Sequence, residues 1–495
     1  MNETVMTNFL DLRQYLAAVE SHGELRHVSG AHWDLEMGAI VELVYREAKD
    51  PKPVMVFDDI PGFPRGFRTA FGMLASTWRL AKTLGLPEDE IAPMQLHHNW
   101  YRRQKEIRPL APRIVSTGPV MENTVSGADI DLLKFPVPRF HEMDGGRYIG
   151  TAHAVIQKDP DTGWVNVGTY RVMVAGKDRL ALHATPGKHG NIISNKYFAK
   201  GQVMPIAIVI GMDPVLWWLA CQPDTPWGMS EYEAAGGISG EPLQLINGPF
   251  SGLPFPAHAE IVIEGECHPN EETDEGPFGE WSGYYANRGL KPVPEPVIRV
   301  KAIHYRNDPI LTCSMPSVPP HTFTLMLAMA DSVGIRRRLE EYGLPGVKGV
   351  WSNFSGSGGL FNVIALEQLY SGHALQAGIL ASQYSAEMGA FTVVVDDDID
   401  PSNMDQVLWA MVTRTRLDRQ MHVIPHCHTN SVNPAIPPDE KMQDGKKKML
   451  TSARVVIDAC RDLSWKEDWY PVARMSNELR DKTLQKWKTV LAGLI

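Results

Sequence analysis

Cysteine is scarce and poorly placed for bridging. The five cysteines among 495 residues stand at 221, 267, 313, 427 and 460, and no C-x-x-C pair occurs. That spacing argues against a disulfide framework. Long apolar runs are missing too. No stretch approaches the 18 or more apolar residues of a membrane span, and the opening Met-Asn-Glu-Thr lacks the basic patch and apolar run of a signal peptide. The expectation is a reduced, cytoplasmic protein with no membrane segment. Positive charge is also in deficit: 48 Lys and Arg face 58 Asp and Glu, a formal net charge of -10. This opposes a nucleic-acid binder held by phosphate neutralisation. Lys446-Lys447-Lys448 is a local exception that reads as a solvated loop or an anion contact. Walker loops, G-x-G-x-x-G, G-x-S-x-G and H-E-x-x-H are absent, which removes the commonest nucleotide, hydrolase and zinc-protease chemistries.

What is present is ordinary for a globular chain: 43% hydrophobic and 21% charged residues. Such a length predicts roughly three domains, with cores that need no metal or disulfide staple. Residues 1–115 read as mixed α/β. Leu12, Tyr15, Leu16 and Val19 have helical spacing, a second helix is predicted over 35–47, and Val54-Met55-Val56-Phe57 is a strand. A domain boundary is expected near 110–120, before the proline-rich Phe135-Pro-Val-Pro138, which cannot be helix interior. Residues 116–315 read as strongly β, with strands expected at 151–158, 164–175, 179–184, 205–211, 259–265 and 297–305. So many strands suggest a barrel or sandwich, interrupted by helices near 190–200 and 229–236. From 316 to 475, helices expected at 323–341 and 369–388 alternate with apolar strands at 361–366 and 391–395, which favours a buried sheet flanked by helices. The tail, 476–495, reads as an amphipathic helix available for an oligomer contact.

Several clusters could carry chemistry. In Glu275-Gly-Pro-Phe-Gly-Glu280 two carboxylates bracket a turn whose glycines and proline can bring both ends to one site. Paired carboxylates in unlike environments are a route to one acid and one fixed anion; the plain alternative is an acidic surface loop. In Asn166-Val-Gly-Thr-Tyr-Arg171 the end residues, five apart on a regular strand, face opposite ways. A shared role therefore requires an irregularity. His189 sits in an unremarkable turn, and Glu231 follows Ser230 as a first-turn helix glutamate would. His426-Cys427-His428 carries zinc- or copper-type donors, but no further ligands lie nearby in sequence. Asp396-Asp397-Asp398 is similar to acidic magnesium clusters, or is simply a loop closing an apolar strand.

Taken in order, these segments resemble the UbiD family of reversible decarboxylases over essentially the whole chain. The resemblance is carried by Phe135-Pro-Val-Pro138, Asp144-Gly-Gly-Arg-Tyr-Ile-Gly-Thr151, Asn166 with Tyr170-Arg171, and Ser230-Glu231 with Ala235-Gly236. It continues through Ala259-Glu-Ile-Val-Ile-Glu-Gly265, Glu275-Gly-Pro-Phe-Gly-Glu280 with Gly283-Tyr284, Val395-Asp-Asp-Asp398 and Trp409-Ala-Met-Val-Thr-Arg414. It implies an α/β (mixed) fold: an N-terminal α/β region, a central split β-barrel of flavin-reductase-like type, and a C-terminal α/β domain with a terminal helix. It also implies prenylated FMN supplied by a flavin prenyltransferase, a divalent metal (usually Mn2+) and K+. Asn166, His189 and Glu231 match the metal ligands, which hold the cofactor through its phosphate together with Tyr170 and Arg171. One departure stands out: where many members carry a lysine that touches the cofactor phosphate, this chain has Ala390.

The implied reaction is non-oxidative decarboxylation of an aromatic or heteroaromatic acid through a covalent adduct of the modified flavin, with CO2 as product. Arg171 is expected to hold the substrate carboxylate, Glu280 to brace Arg171, and Glu275 to return the proton with a pKa raised toward neutrality by burial. His321, His426 and His428 are candidate pocket residues, His321 alternatively capping the helix near 323. Alternatives are net carboxylation, one subunit of a larger carboxylase, an aryl-CoA thioester meeting Lys446–Lys448, or a flavin-binding protein without activity. Homodimers, or hexamers built as three dimers, are the implied assemblies.

Overall fold

In the computed structural model, residues 9–222, 225–286, 289–356, 359–384, 389–443, 446–447 and 450–492 are described. The N-terminal region packs the helices Leu12–Ser21 and Glu36–Glu47 on a four-stranded sheet. The spaced apolar residues foreseen for the first helix, Leu12, Tyr15, Leu16 and Val19, are all buried. Asp11 caps that helix by accepting from the Gln14 N–H, as an N-cap carboxylate should. The sheet runs Leu25–Ser29, Val54–Asp58, Arg68–Phe71, Ile310–Cys313. Its last strand lies parallel to Arg68–Phe71 although it comes from the end of the segment expected to be purely central. The N-terminal and central regions are therefore interleaved, and one apolar cluster runs through both.

The central region is a nine-stranded antiparallel sheet with helices tucked against it. Along the sheet the strands run Tyr148–Gly150, Arg171–Val174, Arg179–His183, Val293–Tyr305, Ile261–Glu275, Met204–Ile210, His153–Lys158 and Val165–Gly168, with Asn123–Ser126 pairing beside Val293–Tyr305. The strand Val165–Gly168 ends the path at one side, yet Arg171–Val174 lies next to its other end. Only Thr169 and Tyr170 join them, so the sheet must curl until its two ends meet. That is the split barrel, derived from connectivity alone. The long strand expected at 164–175 is thus two strands, and the break between them supplies the irregularity that Asn166 and Arg171 needed.

The C-terminal region is a five-stranded sheet in the order Val347–Ser352, Phe361–Leu366, Phe391–Asp396, Leu450–Ala459, Met421–Thr429. The three middle strands are parallel. Phe361–Leu366 and Phe391–Asp396 are almost wholly buried, with the near-continuous apolar run typical of sheets covered on both faces, while Leu450–Ala459 is buried mainly in its second half. Helices Thr324–Glu341, His373–Ser382 and Met404–Arg414 flank it. The helix expected over 369–388 is shorter at both ends, His373–Ser382: Gly372 takes a left-handed conformation just before it, and Gln383 caps its end; residues 385–388 lie outside the described residues. The tail is not one helix but two, Asn477–Lys486 and Lys488–Leu491, neither with a buried residue. Among the described residues no helix is long and apolar enough to cross a membrane.

Candidate active site

A cavity of about 630 Å³ opens where the curled sheet meets the C-terminal region. Its wall takes Asn166, Tyr170, Arg171, His189, Glu231 and Glu280 from the central region and Arg338, Tyr384 and His428 from the C-terminal one. The volume lies in the range of cofactor and small-ligand sites.

At one place on this wall an arginine sits between two carboxylates. The Arg171 Nε and Nη2 donate to the two oxygens of Glu275 at 2.8 and 3.0 Å, and Nη1 donates to Glu280 Oε1 at 2.8 Å. The Phe278 ring lies 4.3 Å from the guanidinium. The fork geometry suits bidentate carboxylate pairing. Glycines permit the loop that carries both acids. Gly276 has φ +86°, and a Cβ on Gly145 would lie 1.9 Å from the Gly276 carbonyl oxygen. Gly145 N–H donates to the Pro277 carbonyl at 2.8 Å, and Asp144 accepts from the Gly279 N–H and the Tyr285 hydroxyl. The Asp144-Gly-Gly segment thus clamps the Glu275–Glu280 loop onto the barrel.

The two glutamates differ in access. Glu275 is 1% exposed, spends both oxygens on Arg171 and is not part of the cavity wall; Glu280 faces the cavity. Burial pushes the Glu275 carboxyl up, but the Arg171 charge and hydrogen bonds outweigh it and hold the group below the usual carboxylate range. The raised pKa expected for Glu275 is not found, because Arg171 pairs with both of its oxygens.

Asn166, His189 and Glu231 reach the same cavity from three segments. Asn166 lies on Val165–Gly168 opposite Gln157; its amide Nδ2 donates to the Tyr170 hydroxyl at 3.3 Å, leaving the carbonyl oxygen for another partner. Tyr170 also accepts from the Gly190 N–H at 2.9 Å, and a Cβ on Gly168 or Gly190 would meet its ring or hydroxyl at 2.5 Å. His189 and Glu231 are the first residues of helices His189–Ala199 and Glu231–Ser239. The Ser230 cap read from sequence is present, accepting from the Glu233 N–H, yet Glu231 is also buried and on the wall. Among the described residues no cation pairs with it, and burial pushes its carboxyl up to about 7. Burial, with Lys188 beside it, lowers the His189 imidazole and favours its neutral, ligating form. An amide oxygen, a neutral imidazole and an unpaired buried carboxylate suit a hard divalent cation. Two helix N-termini at the same wall favour a phosphate.

The three candidate histidines separate. His428 lines the cavity. His426 is exposed, because a register shift between Ile424 and Cys427, with φ +57° at His426, turns it away. His321 is buried behind the wall: its Nε2 meets the Trp281 carbonyl at 3.1 Å, and burial lowers its imidazole to about 3. Its backbone rather than its ring serves the helix start, His321 N–H donating to the Thr324 hydroxyl. His426 and His321 therefore do not line the pocket. Asp396 and Asp398 are engaged by Arg414, Arg461 and Lys466 and do not form an open cation site. Ala390 lies on a smaller side cavity that also includes Arg454. Lys448 lies outside the described residues.

His183 was missed by sequence reasoning. It is the cross-strand partner of Arg171, lines the cavity, and its Nδ1 meets Glu295 at 2.8 Å. Within a short alternating strand it resembles a core position; only its register opposite Arg171 marks it.

Comparison with known proteins agrees with this architecture. Residues 16–96, 113–319 and 324–459 match the N-terminal, Rift-related and C-terminal domains of the 3-octaprenyl-4-hydroxybenzoate carboxy-lyase (UbiD) family. A phenolic acid decarboxylase of Streptomyces sp. (strain D7) is 32% identical, covering 86% of this chain and 89% of that protein. A pyrrole-2-carboxylic acid decarboxylase of Pseudomonas aeruginosa is 30% identical over 89% of this chain and 90% of its own length. The UbiD-class enzyme HmfF from Pelotomaculum thermopropionicum, solved with FMN, superposes with a TM-score of 0.81 at 28% identity, covering 95% of this chain and 98% of that one. An evolved dimeric form of the same enzyme was solved with prFMN (TM-score 0.79, 28% identity, 96% and 98% covered).

Proposed function

The chain belongs to the UbiD family, and on that premise we propose that it is a prenylated-FMN-dependent decarboxylase of an aromatic or heteroaromatic acid. The observation that carries this reading is Arg171 held between Glu275 and Glu280 on the wall of a cavity that also presents Asn166, His189 and Glu231. Asn166, His189 and Glu231 would hold a divalent metal such as Mn2+, which with K+ would help bind the negatively charged flavin phosphate. When bound, the modified flavin supplies the electron sink that an sp² carbon lacks once CO2 leaves.

The protein's own part is placement and one proton. Arg171 has N–H groups on Nη1 and Nη2 beyond those given to the glutamates, and these can take the substrate carboxylate. Glu275, sealed behind it, keeps the guanidinium in position. Glu280 is the better proton donor of the two, because it reaches the cavity while Glu275 does not; this exchanges the roles expected from sequence. A general acid must lie within hydrogen-bond reach of the carbon it protonates. The exposed apolar side chains of the tail, Leu479, Trp487 and Val490, are compatible with a homodimer or hexamer contact.

The test is protein co-produced with a flavin prenyltransferase, followed by mass spectrometry of released small molecules, metal analysis and a panel of aromatic acids. Prenylated FMN and manganese near one per chain, with CO2 released from at least one acid, are expected. Plain FMN or no flavin, with no acid consumed, would remove the reading.

A further inference from the structure

A second cavity of about 160 Å³ adjoins the main one, sharing Trp281, His428, Asn430 and Val432 in its wall. Trp281 directly follows Glu280, so this side cavity lies beside the reacting end of the site. Its wall includes Ser282, Ala390 and Arg454. Arg454 is 5% exposed and is anchored by Nη2 donating to the His428 carbonyl at 3.0 Å. The Ser282 hydroxyl is sealed from solvent and has no hydrogen-bond partner among the described residues. A buried hydroxyl without a partner costs about 1–3 kcal/mol, and arginine carries its charge at any working pH.

We propose that this side cavity is an oxyanion subsite, in which Arg454 and Ser282 hold a carboxylate or phosphate group of a ligand seated in the main cavity. An oxyanion accepts from the orphaned hydroxyl and from a charged guanidinium at once, which an apolar occupant cannot do. The size agrees: with about 30 Å³ per water, the space admits a carboxylate or phosphate group but no flavin ring. Ala390 keeps it open, because a longer side chain there would fill it. Two sources have this chemistry, a second acidic group on the substrate and the phosphate of the cofactor.

The substrate arm rests on the decarboxylase reading, and the experiment separates the two. Wild type, Arg454→Met, Arg454→Lys and Ala390→Leu are each co-produced with a flavin prenyltransferase. Flavin per chain is measured, and binding of benzoate and benzene-1,3-dicarboxylate is compared by calorimetry. If the subsite takes the substrate's second acid, wild type prefers the dicarboxylate at least tenfold. Arg454→Met and Ala390→Leu erase that preference, Arg454→Lys retains part of it, and flavin content is unchanged. If it takes the cofactor phosphate, Arg454→Met and Ala390→Leu lose flavin while Arg454→Lys keeps it. Unchanged flavin and an unchanged ratio of the two affinities would overturn the subsite. Should Arg454→Met fail to fold, Ala390→Leu decides, since it leaves Arg454 in place. CO2 release from an acid together with an unmoved ratio would leave the decarboxylase standing without the subsite; a dicarboxylate preference lost in Arg454→Met with no acid ever consumed would do the reverse.

Discussion

The chain builds the same ionic motif twice. Arg171 lies between Glu275 and Glu280, and Arg414 lies between Asp396 and Asp398. In both, an arginine pairs bidentately with one carboxylate, Glu275 or Asp398, and singly with the other. Their surroundings differ. Asp396 also receives Arg461 and Lys466, so cations saturate the C-terminal cluster and fasten the Met404–Arg414 helix and the 461–466 segment to the end of a strand. The Arg171 cluster has one arginine for two glutamates and opens on a cavity. The motif alone assigns no function; what assigns it is whether a ligand can reach the arginine and whether any carboxylate is left with a task besides pairing.

Breaking each cluster should separate these roles. The largest effect is expected from Glu280→Gln. Steady-state kinetics on the flavin-loaded protein should show kcat lower by about 10²–10⁴-fold, the usual worth of a general acid, with flavin content and thermal midpoint near wild type. If Glu275→Gln instead removes turnover with its fold intact and Glu280→Gln does not, the roles proposed above are reversed. Asp396→Asn should give the opposite pattern. Leaving Arg414, Arg461 and Lys466 around a neutral amide should cost about 3–5 kcal/mol, read from denaturant midpoints, while kcat per folded molecule is kept.

Acid should strain both clusters in the same direction. Glu275 and Asp398 are held below their ordinary range by Arg171 and Arg414, against the opposing effect of burial. A depressed folded-state pKa contributes stability above the unfolded value, about 4.3 for Glu and 3.9 for Asp, and loses it as pH falls through the lower folded value. Stability measured from pH 6 down to about pH 2 should therefore fall less steeply in Glu275→Gln and in Asp398→Asn than in wild type. An equally steep fall in either variant would mean that its carboxylate is not the group being protonated. The smallest effects concern the histidines: His428→Ala should change the relative KM of different acids several-fold, and His426→Ala should leave them all in place.

Much of this could be read from the chain, and the exceptions share a cause. The helix Thr324–Glu341 and the strand Phe391–Asp396 follow from apolar spacing, which depends only on local period. Asn166, Arg171, His189, Glu231 and Glu280 could be gathered in advance only through a family pattern, and the cavity does gather them. Which of Glu275 and Glu280 faces inward depends on a loop clamped by Asp144 and Gly145, contacts more than 120 residues away in sequence. His183 needed the register against Arg171, and His426 needed the shift beside Cys427. Pairing and register are non-local quantities, and local periodicity does not encode them.

The strand Ile310–Cys313 has a consequence in time. It completes the N-terminal sheet beside Arg68–Phe71, about 240 residues earlier in the chain. At about 5–20 residues per second of synthesis, the nascent N-terminal region waits roughly 12–50 seconds for its fourth strand. Until then the backbone edge of Arg68–Phe71 is unpaired, a template for wrong pairing with any neighbouring strand. Ribosome-bound chains halted before residue 310 should be the ones that chaperones hold, and release should follow the emergence of Cys313.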